Sequence, residues 1–466
     1  MGMKTLFTYL LLFLIPFISI SQEKISEVKF DSLISYEVKK KETLYSISKN
    51  FNVNINDIIT YNPELLNNKL RKKSIIIIPL KKIIKANIGI KNINSLSKVD
   101  STKQDNEFKI KKNYIKIAYL APFKLNSIEL DSINKVNDFL KNINLTTISI
   151  SFYNGILMAA DEISKNDVNI DIDVFDTDNK IERIEKLRLN NDFDQYDLIV
   201  GPLIKRNFNI FFNSETKTNS ISPLAYEDII IKSNTIIPHA VDSLKRDKMF
   251  KIIDELITAN PDQCAMIISD SLNIKSRNNL LKRFPLAEVI DLSEINNSVD
   301  PKITDSLMGI NKENWVFLET KKPNIISSVT SLLNSQINNE RKIKLFSTVS
   351  NENYDNPNVN YEKLGNLNFT YPSNSIPDSG PRFIDFQNKF LVKFGRFPDR
   401  ISIKSYDMLS DLFFRIATSK SLKNSIDIGE TRLLQNKFNY KYNAKSGYQN
   451  TSFFILRHED LDIIDY

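Results

Sequence analysis

The chain has 466 residues, enough for two or three domains, and its 41% hydrophobic and 10% aromatic residues can supply real cores. A single cysteine excludes an internal disulfide, two histidines leave little for His-based catalysis or metal binding, and ten glycines argue against Gly-rich phosphate loops. The net charge of +7 is uneven: from Tyr36 to Lys112, 17 Lys and Arg face 7 Asp and Glu, whereas from Asn113 onward 43 face 46. The large C-terminal part therefore lacks the basic surface that nucleic-acid binding needs.

Residues 1–21 read as an export signal. Lys4 is the charged region, Thr5 to Ile18 the apolar core, and Ser19-Ile20-Ser21 a small-x-small cleavage site before Gln22. The apolar run is shorter than the ~20 residues of a membrane span, so no transmembrane segment is expected after signal removal. The protein is expected to be exported, to the periplasm or cell envelope.

The next ordered stretch is 34–80. A short alternating strand, Ser35 to Val38, precedes Leu44, Ile47, Ser48 and Phe51, whose i, i+3, i+4, i+7 spacing predicts one buried helix face. Thr43 stands at the N-cap position. Asn54 with Asp57 gives a capping-box-like start for a second helix, which buries Ile55, Ile58 and Ile59. An apolar run from Ser74 to Pro79 closes the unit.

Strand, helix, helix, strand in this order resembles a LysM module, the small βααβ unit that binds N-acetylglucosamine-containing glycans. The matching pieces are Tyr36-Glu37-Val38, Glu42 to Ile47, Phe51-Asn52-Val53, Asn62 to Leu65 and Ile76 to Pro79. The resemblance implies peptidoglycan as partner and a sugar groove framed by Lys41, Glu42, Thr43 and Leu44 on one loop and Asn62, Pro63 and Leu65 on the other. Lys41 and Lys73 occupy places where the family usually has glycine. Either those turns are rebuilt or the groove is altered.

From 81 to 112 the pattern decays into Ser, Asn, Lys and Asp, as in a flexible linker. Order resumes at 113 and runs to 466. The strand Ile115–Leu120 leads to Pro122-Phe123; a helix covers Phe152–Ile163; then come a strand Ile170–Phe175, an acidic turn, a helix Ile181–Asn190 and a strand ending on Gly201-Pro202. Further strands fall near Ala265–Ile268, Glu288–Leu292, Trp315–Leu318 and Ile343–Phe346, with helices at Ile325–Ile337, Phe383–Phe394 and Ser405–Ala417 and a last strand at Thr451–Arg457. This alternation predicts an α/β fold of parallel βαβ units. Trp315 and Cys264 both lie in apolar runs and read as core residues.

Phe152-Tyr153-Asn154-Gly155, Asp197 to Leu203, Ile221-Ser222-Pro223 and Phe394 to Pro398 with Ser405-Tyr406-Asp407 resemble type I periplasmic binding proteins, the branched-chain amino-acid receptors. The resemblance implies a two-lobed clamshell. Ligands of open α/β sheets sit beyond the carboxyl ends of the strands, which places Pro122, Phe123, Asp176, Gly201, Pro202, Pro223, Leu224 and Ala225 at the cleft. Leu224 and Ala225 offer no hydroxyl to an amino-acid carboxylate, a poor fit for a free amino acid. Asp176 and Asp178 read as turn chemistry rather than a calcium loop.

No cofactor, metal site or catalytic residue is expected. The reading that follows is a non-catalytic, peptidoglycan-associated binding protein. Its clamshell binds a small ligand or acts as a scaffold for cell-wall synthesis proteins, since the same fold occurs in lipoprotein activators of penicillin-binding proteins. A solute receptor for amino acids or similar small molecules is the alternative, and a murein hydrolase a more distant one.

Overall fold

The computed structural model describes residues 30–38, 42–51, 53, 55–66, 70–71, 74–81, 109–127, 136, 139–140, 142–213, 216–224, 229–292, 299–349, 354, 360–377 and 380–466. The expected signal at 1–21, nearly all of the linker, and Lys41, Asn54, Lys73 and Ala225 lie outside these residues. The chain divides into two compact units, Met1–Ile88 and Gly89–Tyr466.

In the first unit β1 (Phe30–Glu37) and β2 (Ile75–Lys81) pair antiparallel, with Tyr36 opposite Ile76. Between them come α1 (Leu44–Phe51), α2 (Ile55–Tyr61) and a 3-10 turn, Pro63–Leu66. Thr43 caps α1 reciprocally: the Ser46 N–H donates to Thr43 Oγ1 at 3.1 Å and the Thr43 N–H to Ser46 Oγ at 2.9 Å. Ile47 and Phe51 of α1 and Ile58 of α2 are buried, as are Val38, Val53, Ile76 and Ile78. Ile75 and Ile77 alternate to the exposed side, as the two-residue period of a strand requires.

The second unit is two-lobed. In the first lobe β3 (Tyr114–Ala121), α3 (Leu145–Ser164), β4 (Asn169–Asp176), α4 (Ile181–Asn190), β5 (Leu198–Val200), α5 (Lys205–Phe212), β6 (Ser220–Ile221) and β7 (Thr235–Ile237) form a parallel sheet of order β4-β3-β5-β6-β7. The chain then crosses to the second lobe, with α6 (Asp242–Ala259), β8 (Cys264–Asp270), α7 (Ile274–Arg283), β9 (Glu288–Leu292), α8 (Pro301–Leu307), β10 (Glu313–Glu319), α9 (Pro323–Ser335), β11 (Lys342–Phe346), α10 (Tyr361–Asn366) and β12 (Thr370–Ser373). Their order, β9-β8-β10-β11-β12, repeats that of the first lobe.

A second crossing returns the chain to the first lobe for α11 (Pro381–Phe394), α12 (Arg400–Ser419), the pair β13 (Thr431–Arg432) and β14 (Lys437–Phe438), and the hairpin β15 (Tyr440–Asn443)–β16 (Gly447–Asn450). Strand β16 lies parallel to β7 and extends the first sheet. A third crossing leads to β17 (Phe454–Glu459) and β18 (Asp462–Asp465), an antiparallel edge on the second sheet. The expected last strand thus starts later, at Phe454, and turns back on itself.

Both sheets are covered on both faces, which is why their strands read as continuous apolar runs. Along β3, Ile115, Ile117 and Tyr119 face α3 and α12, while Ala118 and Leu120 face α4 and α5. Along β10, Val316 and Leu318 join one core and Trp315 and Phe317 the other. Helices α3 and α12 pack so closely at Gly155 that a Cβ there would collide with the Ser402 carbonyl oxygen. The Asp399 cap of α12 binds the Ser402 N–H at 2.8 Å and accepts from Ser151 Oγ of α3 at 2.5 Å, tying the two helix starts together.

Candidate functional site

In the small unit, the expected groove residues divide. Thr43 and Pro63 are exposed, while Glu42, Leu44 and Leu65 are half-buried. Glu42 Oε1 accepts from the Tyr36 hydroxyl at 2.7 Å; burial first, and then this carboxylate, push the Tyr36 phenol up from its ordinary range. Asn62 departs from expectation. Its side chain is buried, donating to the carbonyls of Ile58 (2.7 Å) and Ile77 (2.6 Å) and accepting from the Ile77 N–H at 2.7 Å. That amide clamps α2 to β2, so its side chain is used by the fold rather than offered to a sugar.

In the large unit, most of the expected cleft residues that are described are held in buried turns at the strand ends. Phe123 is buried edge-on against Tyr119 (5.8 Å), and its carbonyl accepts from Thr146 Oγ1 at 2.8 Å. Asp176 holds its own turn: Oδ1 accepts from the N–H of Asp178 (2.8 Å) and Lys124 (3.1 Å), and Oδ2 from the N–H of Leu125 at 3.0 Å. Pro122, Gly201, Pro202 and Pro223 are buried. Gly201, at φ +91°, lies so close to the Leu120 carbonyl that a side chain does not fit. In the second lobe, Asp270 caps the following turn through the Leu272 N–H (3.1 Å) and accepts from Thr320 Oγ1 at 2.6 Å.

Among the described residues expected at the cleft, Leu224 lines a cavity of about 560 Å³. Its walls come mainly from the crossings between the lobes. His239 follows β7, and Ser373, Asn374 and Ser375 end β12. Arg400, Ile401, Ile403 and Lys404 belong to the first turns of α12, Gln435 and Asn436 to the β13–β14 connection, and Tyr361 to the start of α10.

Two buried groups shape these walls. His239 Nε2 faces the Pro223 carbonyl at 3.4 Å; burial, and then the Lys404 ammonium, hold its imidazole well below the usual range, so it is neutral at pH 7. The Asp407 carboxylate accepts from the backbone N–H of Leu434 (3.0 Å), Gln435 (2.8 Å) and Asn436 (3.0 Å) and so fixes the Gln435–Asn436 wall. Burial pushes that acid up to about 6, against the pull of these donors. Arg400 and Lys404 stand four residues apart at a helix start just beyond Pro398, a pattern the sequence shows but to which sequence reasoning assigned no role.

Two comparisons fit this division into two units. Residues 36–79 match the LysM domain. The match runs from the end of β1 through both helices into β2 and includes all the expected groove residues. The large unit has the two-lobed type I periplasmic binding protein fold. It is similar to a Rhodospirillum rubrum structure described as that of a branched-chain amino acid ABC transporter, at 9% identity and TM-score 0.52, covering 76% of this chain and 100% of that one. Other similar structures are LivJ of Streptococcus pneumoniae in complex with isoleucine (12% identity, TM-score 0.42, covering 75% and 97%) and the C-domain of Haemophilus influenzae LpoA, a regulator of PBP1A (12%, 0.45, 75% and 99%). At these identities the likeness concerns the fold alone. Comparison with curated protein sequences gives no match.

Proposed function

We propose that this chain is an exported, non-catalytic binding protein of the cell envelope that attaches to peptidoglycan. Its LysM unit holds N-acetylglucosamine-containing glycan, and its two-lobed unit is the binding body. The observation that carries this reading is the LysM match over residues 36–79. The expected export signal at 1–21 delivers the module to the compartment where that polymer lies. Among the described residues no helix is long and apolar enough to cross a membrane, and no group of His, Cys, Asp and Glu could hold a metal ion.

The non-catalytic reading is supported by what the buried acids do. Asp411 pairs with Arg415 at 2.9 Å, Glu319 accepts from the Thr348 N–H at 2.7 Å, and Asp407 holds a loop, so each is engaged by the fold. The open cavity between the lobes favours capture of a small ligand. Isothermal titration with chitin-type N-acetylglucosamine oligomers tests the anchor. Binding by the full chain, lost on deleting residues 36–79, is the expected result; binding that survives the deletion contradicts it.

A further inference from the structure

The two loops expected to frame the sugar groove are each tied to one strand of the same pair. On the first loop, Glu42 Oε1 accepts from the Tyr36 hydroxyl of β1 at 2.7 Å. On the second, the Asn62 side chain holds the Ile77 N–H (2.7 Å) and carbonyl (2.6 Å) of β2. Tyr36 stands opposite Ile76 in the strand register, so the two ties leave the sheet within one residue of each other. The Tyr36 ring lies edge-on to Phe51, the last residue of α1, with centroids 4.9 Å apart. Its bond to Glu42 spans the position of Lys41, where the family usually has glycine, and ends one residue before the Thr43 cap of α1.

We propose that Tyr36 is a positioning residue for glycan binding: through Glu42, its hydroxyl fixes the first groove loop against β1, at the separation from the second loop that the sugar requires. A hydroxyl donating to a carboxylate is among the stronger hydrogen bonds. A loop held in this way does not have to be ordered when the sugar arrives, and that saving appears as affinity. Glu42 then acts on the glycan by placing Thr43 and Leu44. This inference rests on the reading of the LysM unit as the glycan anchor.

The test is a double-mutant cycle on the full mature chain, titrated calorimetrically with the N-acetylglucosamine tetramer: wild type, Tyr36→Phe, Glu42→Ala and both together. Tyr36→Phe keeps the ring against Phe51 and removes only the hydroxyl. Each single change should raise Kd about threefold to tenfold. The two together should cost no more than the larger single loss, since the same bond is removed each time. Glu42→Gln, which keeps an acceptor for the hydroxyl, should lose less than Glu42→Ala. Amide exchange adds a readout that needs no glycan. In Tyr36→Phe, Ser46 and Ile47, whose N–H groups bond to Thr43, should exchange severalfold faster while Ile76–Ile78 keep the wild-type rate. Unchanged affinity in Tyr36→Phe would overturn the proposal. So would losses that add up, which would put Glu42 on the sugar itself, or faster exchange throughout β2, the mark of general destabilisation. A wild-type chain that does not bind the tetramer would instead overturn the anchor reading, and this proposal with it.

Discussion

Asp407 and Asn436 are joined twice: one carboxylate oxygen accepts both the Asn436 backbone N–H at 3.0 Å and its side-chain Nδ2 at 2.8 Å. Through this pair α12, which carries Arg400 and Lys404, sets the position of the opposite wall of the cavity. Asp407→Asn keeps one acceptor oxygen and sets an N–H₂ against the donors of the other, which are the Leu434 N–H in one orientation or the Gln435 and Asn436 N–H groups in the other. Leaving such donors unsatisfied costs roughly 2–4 kcal/mol. Urea unfolding should show that loss. An unchanged unfolding midpoint would mean the loop is held by something else.

The Asn62 clamp makes a local prediction in the other unit. Asn62→Ala removes two hydrogen bonds to the Ile77 backbone and one to the Ile58 carbonyl, leaving the part-buried Ile77 N–H and carbonyl without that partner, at about 1–3 kcal/mol. Amide hydrogen exchange should accelerate in Ile75–Lys81, with no change in β3 or β10. Protection that stays at the wild-type level would show that strand pairing alone holds β2.

Two buried groups should tilt the pH dependence of stability in opposite directions. Burial pushes Glu319 up to about 7, so its contribution is complete below the ordinary carboxylate range and is lost as pH rises through 7. Burial holds His458 down at about 4, with both ring nitrogens unpartnered among the described residues and the ring 5.4 Å from that of Tyr361. Its contribution is present above about 6.5 and is lost as pH falls through 4. Glu319→Gln should therefore gain on the wild type by about 2–3 kcal/mol from pH 5 to pH 8, and His458→Phe by a similar amount from pH 7 to pH 4. Unfolding curves that stay parallel to the wild type across pH would contradict both assignments.

These sites also show what was readable from sequence. The LysM helices were legible because their signals are local: the spacing of Leu44, Ile47 and Phe51, and a cap at Thr43 that bonds only three residues away. Asp176 was legible as turn chemistry for the same reason, since one of its partners is Asp178. The role of Asn62 was not, because its partner Ile77 lies fifteen residues on and depends on strand pairing. Nor was the cavity. Its walls at 239, 373–375, 400–404 and 435–436 meet only because the chain crosses between lobes three times. Reading the strand ends alone names Leu224 among the described residues of these walls and none of the others.

The most direct measurement is co-sedimentation of the mature chain with purified peptidoglycan, beside a chain lacking residues 36–79. The account predicts that the full chain pellets with the polymer and that the deleted chain stays in the supernatant with the melting temperature of its two-lobed unit unchanged. A full chain that stays in solution, or a deleted chain that pellets equally well, would contradict it.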